Sequence, residues 1–429
     1  MTSAEHNVSH RATVAPLDRP SGPGRRLRPV AAAAAAVTAT GLVLAGCSSG
    51  SSGSSATTTG TSAAAAASAA ASGSGAVSAA SMAAIKADLK TAEGTPTWKA
   101  GGPAFKATGL TGKKAFLLGY PTNQFAESYI AGVTEGLKSV GMTVTVAGSA
   151  DSVTSQEVQD LDNAVNAHVS VIILLAIVPS SVATGLQKAK AAGIPVIESF
   201  IGNPELPPTA DQALGVYADA TYPYSRTGQL AAEWEIAQTG GKVNSVVQQF
   251  AGQPPSDATA EGWTDTLKQY CPSSCSETDD NVTVGAQTVQ QIQSGTQVAA
   301  QNNAVNAIFP VYDYQMAYML PELNAASATS RINLLSENAD LAQMQEMEQG
   351  TSVKVDVGNP VEWDGWASVD EALRALKGLP AVKDEQLPVR LFDTGNVKSI
   401  DLTANPATWY GGADYQADYQ KLWGVSAAS

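Results

Sequence analysis

The chain has 429 residues, of which only 15% are charged, and a formal net charge of −14. This length predicts two or more lobes with additional tails. The acidic balance argues against a nucleic-acid partner, because binding to phosphates requires clustered Lys and Arg side chains. Of the three histidines only His168 lies beyond the amino-terminal tail. A metal or catalytic site built on several histidines is therefore nearly excluded.

The amino-terminal tail has the pattern of an export signal. A polar start ends in a basic cluster, and the apolar stretch Val30–Leu44 follows. This stretch is too short to span a membrane comfortably and suits a signal peptide core. It leads into Leu44-Ala45-Gly46-Cys47, which resembles the lipobox of bacterial lipoproteins. We predict a signal peptide over 1–46, exported by the Sec or the Tat route.

The lipobox resemblance implies that Cys47 becomes the new amino terminus and carries acyl chains. The protein would then be extracytoplasmic, attached to the outer face of the cell membrane through this lipid anchor. Residues 47–78 are rich in Ser, Gly and Ala and cannot bury a core, so they predict a flexible tether.

The two remaining cysteines, Cys271 and Cys275, are separated by Pro-Ser-Ser. Outside the cytoplasm such a pair predicts a local disulfide. A zinc site would need two more ligands, and no other Cys or His lies near in sequence. The spacing also differs from that of CxxC redox pairs.

After a predicted helix over Ala79–Ala92 and an extended segment to residue 111, strands alternate with helices. In the first unit, Val169–Ile177 is almost wholly apolar, which is typical of a strand covered on both faces. The other predicted elements of this unit are a strand over Ala115–Tyr120, a helix from Phe125 to Val140, a strand over Met142–Val146, helices over Ser155–Ala167 and Ser181–Ala192, and strands over Ile194–Phe200 and Gly215–Ala218.

A second unit repeats the alternation. Its predicted strands are Val243–Phe250, Val282–Ala286, Ala307–Tyr312, Ile332–Glu337, Val353–Val357 and Val389–Phe392, and its predicted helices are Ser225–Ala237, Asp257–Tyr270, Val289–Asn302, Gln315–Ala325, Leu341–Glu348 and Val361–Lys377. Ser256 or Asp257 is expected to cap the second of these helices.

This alternation predicts an α/β fold with two doubly wound parallel-sheet lobes joined by a hinge of several strands. We assign 79–111 to an N-terminal helix and extended segment, 112–218 with 358–385 to lobe one, and 219–357 with 386–429 to lobe two. Ligands of such sheets bind beyond the carboxyl ends of the strands, so the facing ends predict an interlobe cleft.

The local sequences resemble those of type-one periplasmic binding proteins, the sugar-binding components of ABC importers. The likeness spans about Gly112 to Gly424. The stretches that carry it are Ala192-Gly193-Ile194-Pro195-Val196, Gly228-Gln229-Leu230-Ala231-Ala232-Glu233-Trp234, Ala260-Glu261-Gly262-Trp263 and Tyr312-Asp313 with Met316-Ala317. The resemblance implies a monomer without cofactor or catalytic activity that delivers a small ligand to an ABC permease.

Two departures bear on the ligand. Relatives of the ribose and galactose type carry an aspartate just after the fourth strand, where this chain has Phe200, and often an arginine near the position of Asp257. Sugar sites need aromatic platforms and planar polar side chains. The loops that follow the strands offer eight candidates, which the resemblance places at the family's contact turns: Asn123, Phe125, Phe200, Tyr312, Asp313, Glu337, Asn359 and Trp363.

Structural roles compete at several of these positions, since Asn123 and Asp313 could cap helices and Phe125 and Trp363 could belong to a core. Tyr222 and Tyr224 lie near a crossing between the lobes and are weaker candidates. The primary hypothesis is a receptor for a neutral sugar or polyol. The alternatives are a sensor for a nucleoside or another small molecule, and a secreted glycosidase that uses Glu337 and Asp313 as a carboxyl pair.

Overall fold

The computed structural model describes residues 77–119, 123–148, 154–202, 211–411 and 414–425. These residues belong to one compact unit spanning 71–429. The predicted signal peptide, Cys47 and nearly all of the predicted tether lie outside the described residues. Within the described ranges no helix combines the length and apolarity needed to cross a membrane.

Lobe one contains a five-stranded, wholly parallel sheet in the order β2-β1-β3-β4-β5. Strand β3 is buried along its whole length, as its continuous apolar sequence predicts. The elements up to the end of this sheet are α1 (Ala79–Ala92), β1 (Lys114–Leu118), α2 (Gln124–Ser139), β2 (Thr143–Ala147), α3 (Thr154–Asn166), β3 (Val171–Leu175), α4 (Ala183–Ala191), β4 (Val196–Ser199), α5 (Asp211–Leu214) and β5 (Val216–Ala220).

Lobe two contains a six-stranded sheet in the order β11-β10-β9-β8-β6-β7. All pairs are parallel except β10 with β11, which is antiparallel. The elements from here to the end are α6 (Tyr224–Thr239), β6 (Asn244–Gln249), α7 (Pro254–Tyr270), β7 (Ser276–Asn281), α8 (Thr288–Gln301), β8 (Ala307–Pro310), α9 (Met316–Ala325), β9 (Asn333–Asn338), α10 (Leu341–Glu348), β10 (Val353–Gly358), α11 (Val361–Leu376), β11 (Arg390–Asp393) and α12 (Tyr415–Leu422).

The predicted pair of parallel-sheet lobes is confirmed, but one predicted strand is wrong. The strand expected over Val282–Ala286 is instead β7, with the sequence Ser-Glu-Thr-Asp-Asp-Asn. This strand lies at the edge of the sheet and pairs only with β6. Because its residues are exposed or half-buried, the strand needs no apolar face, and apolar patterning could not reveal it. Disulfide Cys271–Cys275, as predicted, closes the turn before it.

The predicted start of α7 is also wrong. The helix begins at Pro254, and a proline in the first turn suits a position whose backbone N–H has no helical partner. The hydroxyl of Ser256 and the carboxylate of Asp257 do not cap the helix. They accept hydrogen bonds from the backbone N–H groups of Phe250 and Gly252, and thereby fix the turn that leads out of β6.

The C-terminal helix belongs to lobe one, whereas the sequence assignment placed residues 386–429 in lobe two. Tyr419 and Trp423 of this segment are buried against α11. The ring of Trp423 stacks on that of Trp366 with centroids 5.4 Å apart. The indole N–H of Trp423 donates to Asp370 at 2.6 Å. This aromatic packing returns the chain to lobe one after β11.

The N-terminal segment contacts both lobes. Helix α1 packs on α6 of lobe two through buried Ile85 and Leu89. Further along, the backbone N–H of Phe105 donates to the carbonyl of Leu422, and the ring of Trp98 meets that of Tyr419 at 5.3 Å, both in lobe one. The segment between these contacts therefore forms an additional crossing between the lobes.

Replacing Asp88 by asparagine is expected to weaken the attachment of α1. Both guanidinium N–H groups of Arg226 donate to the Asp88 carboxylate at 2.6 Å, and both side chains are about one-third exposed. A partly exposed pair of this geometry is worth about 1 kcal/mol. Urea unfolding should show that loss, and Lys86→Ala on the exposed face of α1 should show almost none. Equal effects of the two changes would contradict this role of the ion pair.

Candidate functional site

Strained turns mark the carboxyl ends of the strands. Ala176 follows β3 with φ of 52°, Phe200 follows β4 with φ of 64°, and at the end of β9 Asn338 and Ala339 have φ of 114° and 59°. Left-handed backbone costs a non-glycine residue of order 1–3 kcal/mol and tends to be retained at binding sites. The turns of both sheets that face the hinge are therefore held in defined, unusual conformations.

Lobe one contributes an aromatic cluster at this edge. The buried ring of Phe200 lies 4.7 Å from that of Phe125 and 5.3 Å from that of Tyr129, centroid to centroid. It also approaches the ring of Tyr222 at 6.2 Å, and Tyr222 lies 4.4 Å from Tyr224. The half-buried Phe125 presents apolar surface beside the interlobe cavity described below. This cluster can offer ring faces to a ligand that enters from the cleft.

Glu337 links the two lobes. Its side chain is fully buried, and Oε2 accepts a hydrogen bond of 2.5 Å from the hydroxyl of Tyr222. Among the described residues, Oε1 has no hydrogen-bond partner. Burial raises the pKa of Glu337 to about 8, and the nearby Asp356 and Asp340 act in the same direction. A carboxyl group in this state can accept a proton or a positively charged group.

Three aspartates surround the end of β9. Asp313 accepts a hydrogen bond of 2.7 Å from the backbone N–H of Asp340, and Asp356 accepts one of 3.0 Å from that of Ala339. Burial raises the pKa of both Asp313 and Asp356, and the nearby charge of Asp340 acts in the same direction on each. The two hydrogen bonds from backbone N–H groups stabilise the strained turn that positions Glu337.

The short segment between β10 and α11, where the chain crosses back to lobe one, brings further polar groups to this edge. Asn359, Trp363 and Asp364 are all buried. The side-chain amide of Asn359 donates to Asp364 at 2.7 Å, which fixes the orientation of this amide. Within the described part of the chain, Asn359 Oδ1, Trp363 Nε1 and Asp364 Oδ1 have no hydrogen-bond partner. Buried polar atoms are normally paired, so these three atoms can bind a ligand or ordered water.

Two other predicted residues have structural partners. The exposed Asn123 caps α2, because its Oδ1 accepts a hydrogen bond of 2.8 Å from the N–H of Ala126. The ring of Tyr312 stacks on that of Phe250 with centroids 5.7 Å apart, at the end of β8. Contact of either residue with a ligand stays a prediction.

A small cavity of about 20 Å³ separates the lobes at this point. Its walls include Phe125 and Ser128 of lobe one, Asn338 and Asp340 of lobe two, and Asn359 of the crossing. The backbone N–H of Leu341 in lobe two donates to Gln124 of lobe one at 3.4 Å. Because ligand pockets measure hundreds of cubic ångströms, the lobes must separate before a ligand can enter.

A larger groove of about 730 Å³ lies elsewhere, between α9 and α10. It includes Asn333 and Ser352, which lie at the amino ends of β9 and β10. Ligands of parallel sheets bind at the opposite ends of the strands. We therefore regard the small interlobe cavity as the candidate site.

Sequence reasoning predicted Phe125, Phe200, Asp313, Glu337, Asn359 and Trp363 at the cleft, and the structure brings the first five to the facing edges of the two lobes. The ring of Trp363 packs in the core of lobe one, 4.7 Å from the ring of Tyr415. Sequence reasoning missed Asp356 and Asp364 and ranked Tyr222 low. Asp356 is the fourth residue of β10, which has the sequence Val-Lys-Val-Asp-Val-Gly, and Asp364 lies in the first turn of α11. Because Lys354 and Asp356 alternate with valines, the pattern is that of a strand with one exposed face and gave no signal that Asp356 is buried.

Comparison with known proteins supports this architecture. The model of the periplasmic binding protein domain matches residues 114–380. A search of curated proteins finds no significant match. Among solved structures, the 5-methylthioribose transporter solute-binding protein from Thermotoga lettingae is 17% identical with a TM-score of 0.60. The aligned region covers 74% of this chain and 99% of that protein. A periplasmic solute-binding protein from Actinobacillus succinogenes with bound D-allose is 17% identical with a TM-score of 0.58, and the aligned region covers 68% of this chain and 100% of that protein.

A third structure, a solute-binding protein from Agrobacterium vitis with bound D-fucose, is 19% identical with a TM-score of 0.57 and covers 68% of this chain and 99% of its own. Because the sequences of these three proteins are so different from this one, their structural similarity establishes the fold alone. The family model covers more than half of the chain, and the family consists of binding proteins, not enzymes, that act outside the cytoplasm. The chain belongs to the periplasmic binding protein family.

Proposed function

We propose that this protein is a lipid-anchored solute-binding component of an ABC importer that captures a sugar-like or polyol-like ligand between its lobes. The observation that carries the proposal is the set of buried polar atoms without partners at the meeting edges of the two lobes, namely those of Glu337, Asn359, Trp363 and Asp364. Similar solved structures contain bound D-allose, D-fucose or 5-methylthioribose.

The unpaired atoms suit a hydroxylated ligand. A buried acceptor or donor left without a partner costs about 1–3 kcal/mol, and a ligand group that pairs with it recovers this cost. Asn359 can accept from a hydroxyl, and Trp363 can donate to one. The rings of Phe125 and Phe200 can pack on the apolar face of a sugar or polyol.

Ligand capture would couple to lobe closure. The chain crosses between the lobes after β5, after β10 and before β11, and the N-terminal segment adds a further connection. Contacts to both lobes favour the closed form, because an open protein can satisfy only half of them. The closed form is the one that an ABC permease would recognise.

A panel of sugars, polyols, nucleosides and amino acids tests the ligand class on the full chain. A ligand that binds only the folded state should stabilise it by roughly 2.7 kcal/mol at a hundredfold excess over Kd. We expect thermal unfolding to show such a shift with a sugar or polyol, and solution scattering to show compaction with the same compound. A response to nucleosides or amino acids alone would contradict this ligand class.

Asn359→Ala is expected to weaken the affinity for that ligand at least tenfold. The change removes the only side-chain amide of the crossing and leaves Asp364 without its hydrogen-bond donor. A tenfold loss corresponds to 1.4 kcal/mol. Titration calorimetry measures it, with the exposed Asn163→Ala on α3 as the matched control. Unchanged affinity in Asn359→Ala would remove this residue from the site.

The anchor is tested separately. Cys47→Ala is expected to move the protein from the membrane fraction to the soluble fraction and to abolish labelling with a radioactive fatty acid. Retention of the label in Cys47→Ala would contradict lipidation at this cysteine. The binding proposal does not depend on this result.

A further inference from the structure

One wall of the interlobe cavity comes from the part of the chain that follows β11. Pro406, Ala407 and Tyr410 line this cavity, and all three belong to one short 3₁₀ helix, Pro406–Tyr410. We call it the wall helix. The half-buried Phe125 of lobe one lines the same cavity. No residue predicted for the site from the sequence lies in the wall helix, so the structure adds a side of the cleft that was not expected.

The wall helix is firmly attached to the rest of the fold. At its start, Oδ1 of Asn405 accepts a hydrogen bond of 2.9 Å from the backbone N–H of Ala407. Near its end, the guanidinium group of Arg390 in β11 donates to the carbonyl of Trp409. Through Nε the same guanidinium group donates at 3.1 Å to the carbonyl of Glu93 in the N-terminal segment. The side chains that the wall helix presents to the cavity therefore have defined positions.

Tyr410 brings a hydroxyl group to the end of β10. Its ring is 3% exposed and packs in the core of lobe two, 5.6 Å from the ring of Phe392. A Cβ atom at Gly358, the last residue of β10, would lie 2.3 Å from the hydroxyl oxygen of Tyr410. The hydroxyl occupies space that only a glycine leaves free. Asn359 follows Gly358 directly and lines the same cavity as Tyr410.

The phenol and the neighbouring amide oxygen are both available to a ligand. Within the described part of the chain, no hydrogen bond involves the hydroxyl of Tyr410, and Oδ1 of Asn359 has no partner either. Burial raises the pKa of Tyr410 well above its usual value, so the phenol keeps its proton and can donate. A phenol donates and accepts, whereas an amide oxygen only accepts. One ligand hydroxyl can therefore accept from Tyr410 and donate to Asn359.

Resting on the proposed function, we propose that Tyr410 is a specificity-determining residue whose hydroxyl binds one hydroxyl group of the sugar or polyol, together with Asn359. A site built to hydrogen-bond a ligand hydroxyl discriminates against a ligand that lacks it, because the polar groups of the protein then stay unpaired. Pro406 and Ala407 add apolar surface beside this contact and limit the size of the ligand on this side of the cleft.

The test is calorimetry on the full chain with D-glucose, D-galactose, D-allose and D-ribose, each accompanied by its monodeoxy derivatives. We expect at least one parent sugar to bind, and Tyr410→Phe to bind it about threefold to tenfold more weakly. One monodeoxy derivative should bind equally to Tyr410→Phe and to the unmodified chain, because it lacks the hydroxyl that Tyr410 contacts. Tyr270→Phe, the same chemical change at the half-buried end of α7, is the control and should lose no affinity.

Three outcomes would count against the inference. Unchanged affinity in Tyr410→Phe would remove the hydroxyl from the site. An equal loss for the parent sugar and for every derivative would show that Tyr410 acts through the fold alone. Either result overturns the inference and leaves the proposed function intact. Binding of none of these sugars to the unmodified chain would count against both.

Ala407→Phe tests the wall helix by a second change, one that fills space and removes no hydrogen bond. We expect it to lower the affinity for the same sugar more than tenfold, because the added ring would occupy the cavity beside Tyr410. Thr403→Phe, at an exposed position before the wall helix, should bind as the unmodified chain does. Circular dichroism establishes that both variants fold. Equal affinities of Ala407→Phe and Thr403→Phe would show that the wall helix does not border the ligand.

Discussion

Gly228→Val is expected to lower the free energy of unfolding by more than about 3 kcal/mol, because it forces apart two helices whose backbones touch. A Cβ atom at Gly228 of α6 would lie 1.9 Å from the carbonyl oxygen of Thr259 in α7. From the other side, a Cβ atom at Gly262 would lie 2.0 Å from the carbonyl oxygen of Ser225. Neither neighbour is a flexible side-chain end, so the backbone itself would have to move.

Urea unfolding measures this loss, and recovery of the variant mainly in the insoluble fraction would agree with it. Gln238→Val, at an exposed position of the same helix, controls for the lower helix propensity of valine and should cost at most about 0.7 kcal/mol. Similar losses in Gly228→Val and Gln238→Val would show that α6 and α7 are not in backbone contact.

Lobe one uses the same kind of contact. A Cβ atom at Gly132 of α2 would lie 2.2 Å from the carbonyl oxygen of Glu362 in α11. The first turn of α11 carries Trp363 and Asp364. The glycine contact therefore sets the position of two candidate site residues as well as the packing of the helices.

The free energy of unfolding of the unliganded protein is expected to fall as the pH rises from about 5 to 8. Glu337 has a pKa of about 8 in the folded chain, raised mainly by burial, against about 4.3 in an unfolded chain. Between these two values the folded state binds more protons than the unfolded state, so stability decreases with rising pH. Burial also raises the pKa of Asp356 to about 7 and that of Asp340 to about 6, which adds to the effect.

We expect a total loss on the order of a few kcal/mol across this range. The groups that face Glu337 are Tyr222, which favours the carboxylate by hydrogen bonding, and Asp356 and Asp340, which disfavour it. Glu337→Gln should make the profile shallower, because glutamine does not titrate whereas Asp356 and Asp340 still do. Asp265→Asn, an exposed carboxylate on α7, should leave it unchanged. Stability that rises between pH 5 and 8 would show that these carboxyl groups are ionised in the folded chain. Urea midpoints at half-unit pH steps provide the measurement.

The glycines at the helix contacts illustrate how far a sequence comparison reaches. Gly228 and Gly262 both lie in stretches that resemble the family, so their positions were apparent from the sequence. Their role was not, because nothing in the local sequence indicates which helix packs against α6. Only the assembled lobe shows that one glycine faces the backbone around the other.

Errors in the predicted elements have a common origin. The edge strand β7 and the start of α7 depend on neighbours that are distant in sequence or on the loop before the helix. The return of α12 to lobe one depends on aromatic contacts with α11. Apolar periodicity reports whether an element has a buried face, but it does not report which partner covers that face or where hydrogen-bonded pairing begins.

The sequence by itself determined the two α/β units, their mostly parallel sheets and the local disulfide, and it predicted the edge at which a ligand would bind. These features follow from apolar runs, short-range spacing and strand direction, which are local properties. The tertiary structure decided which side chains meet there. Tyr222 and Glu337 are 115 residues apart in the sequence, but the hydroxyl of Tyr222 lies 2.5 Å from Oε2 of Glu337. They meet only because the hinge places the carboxyl edges of both sheets against each other.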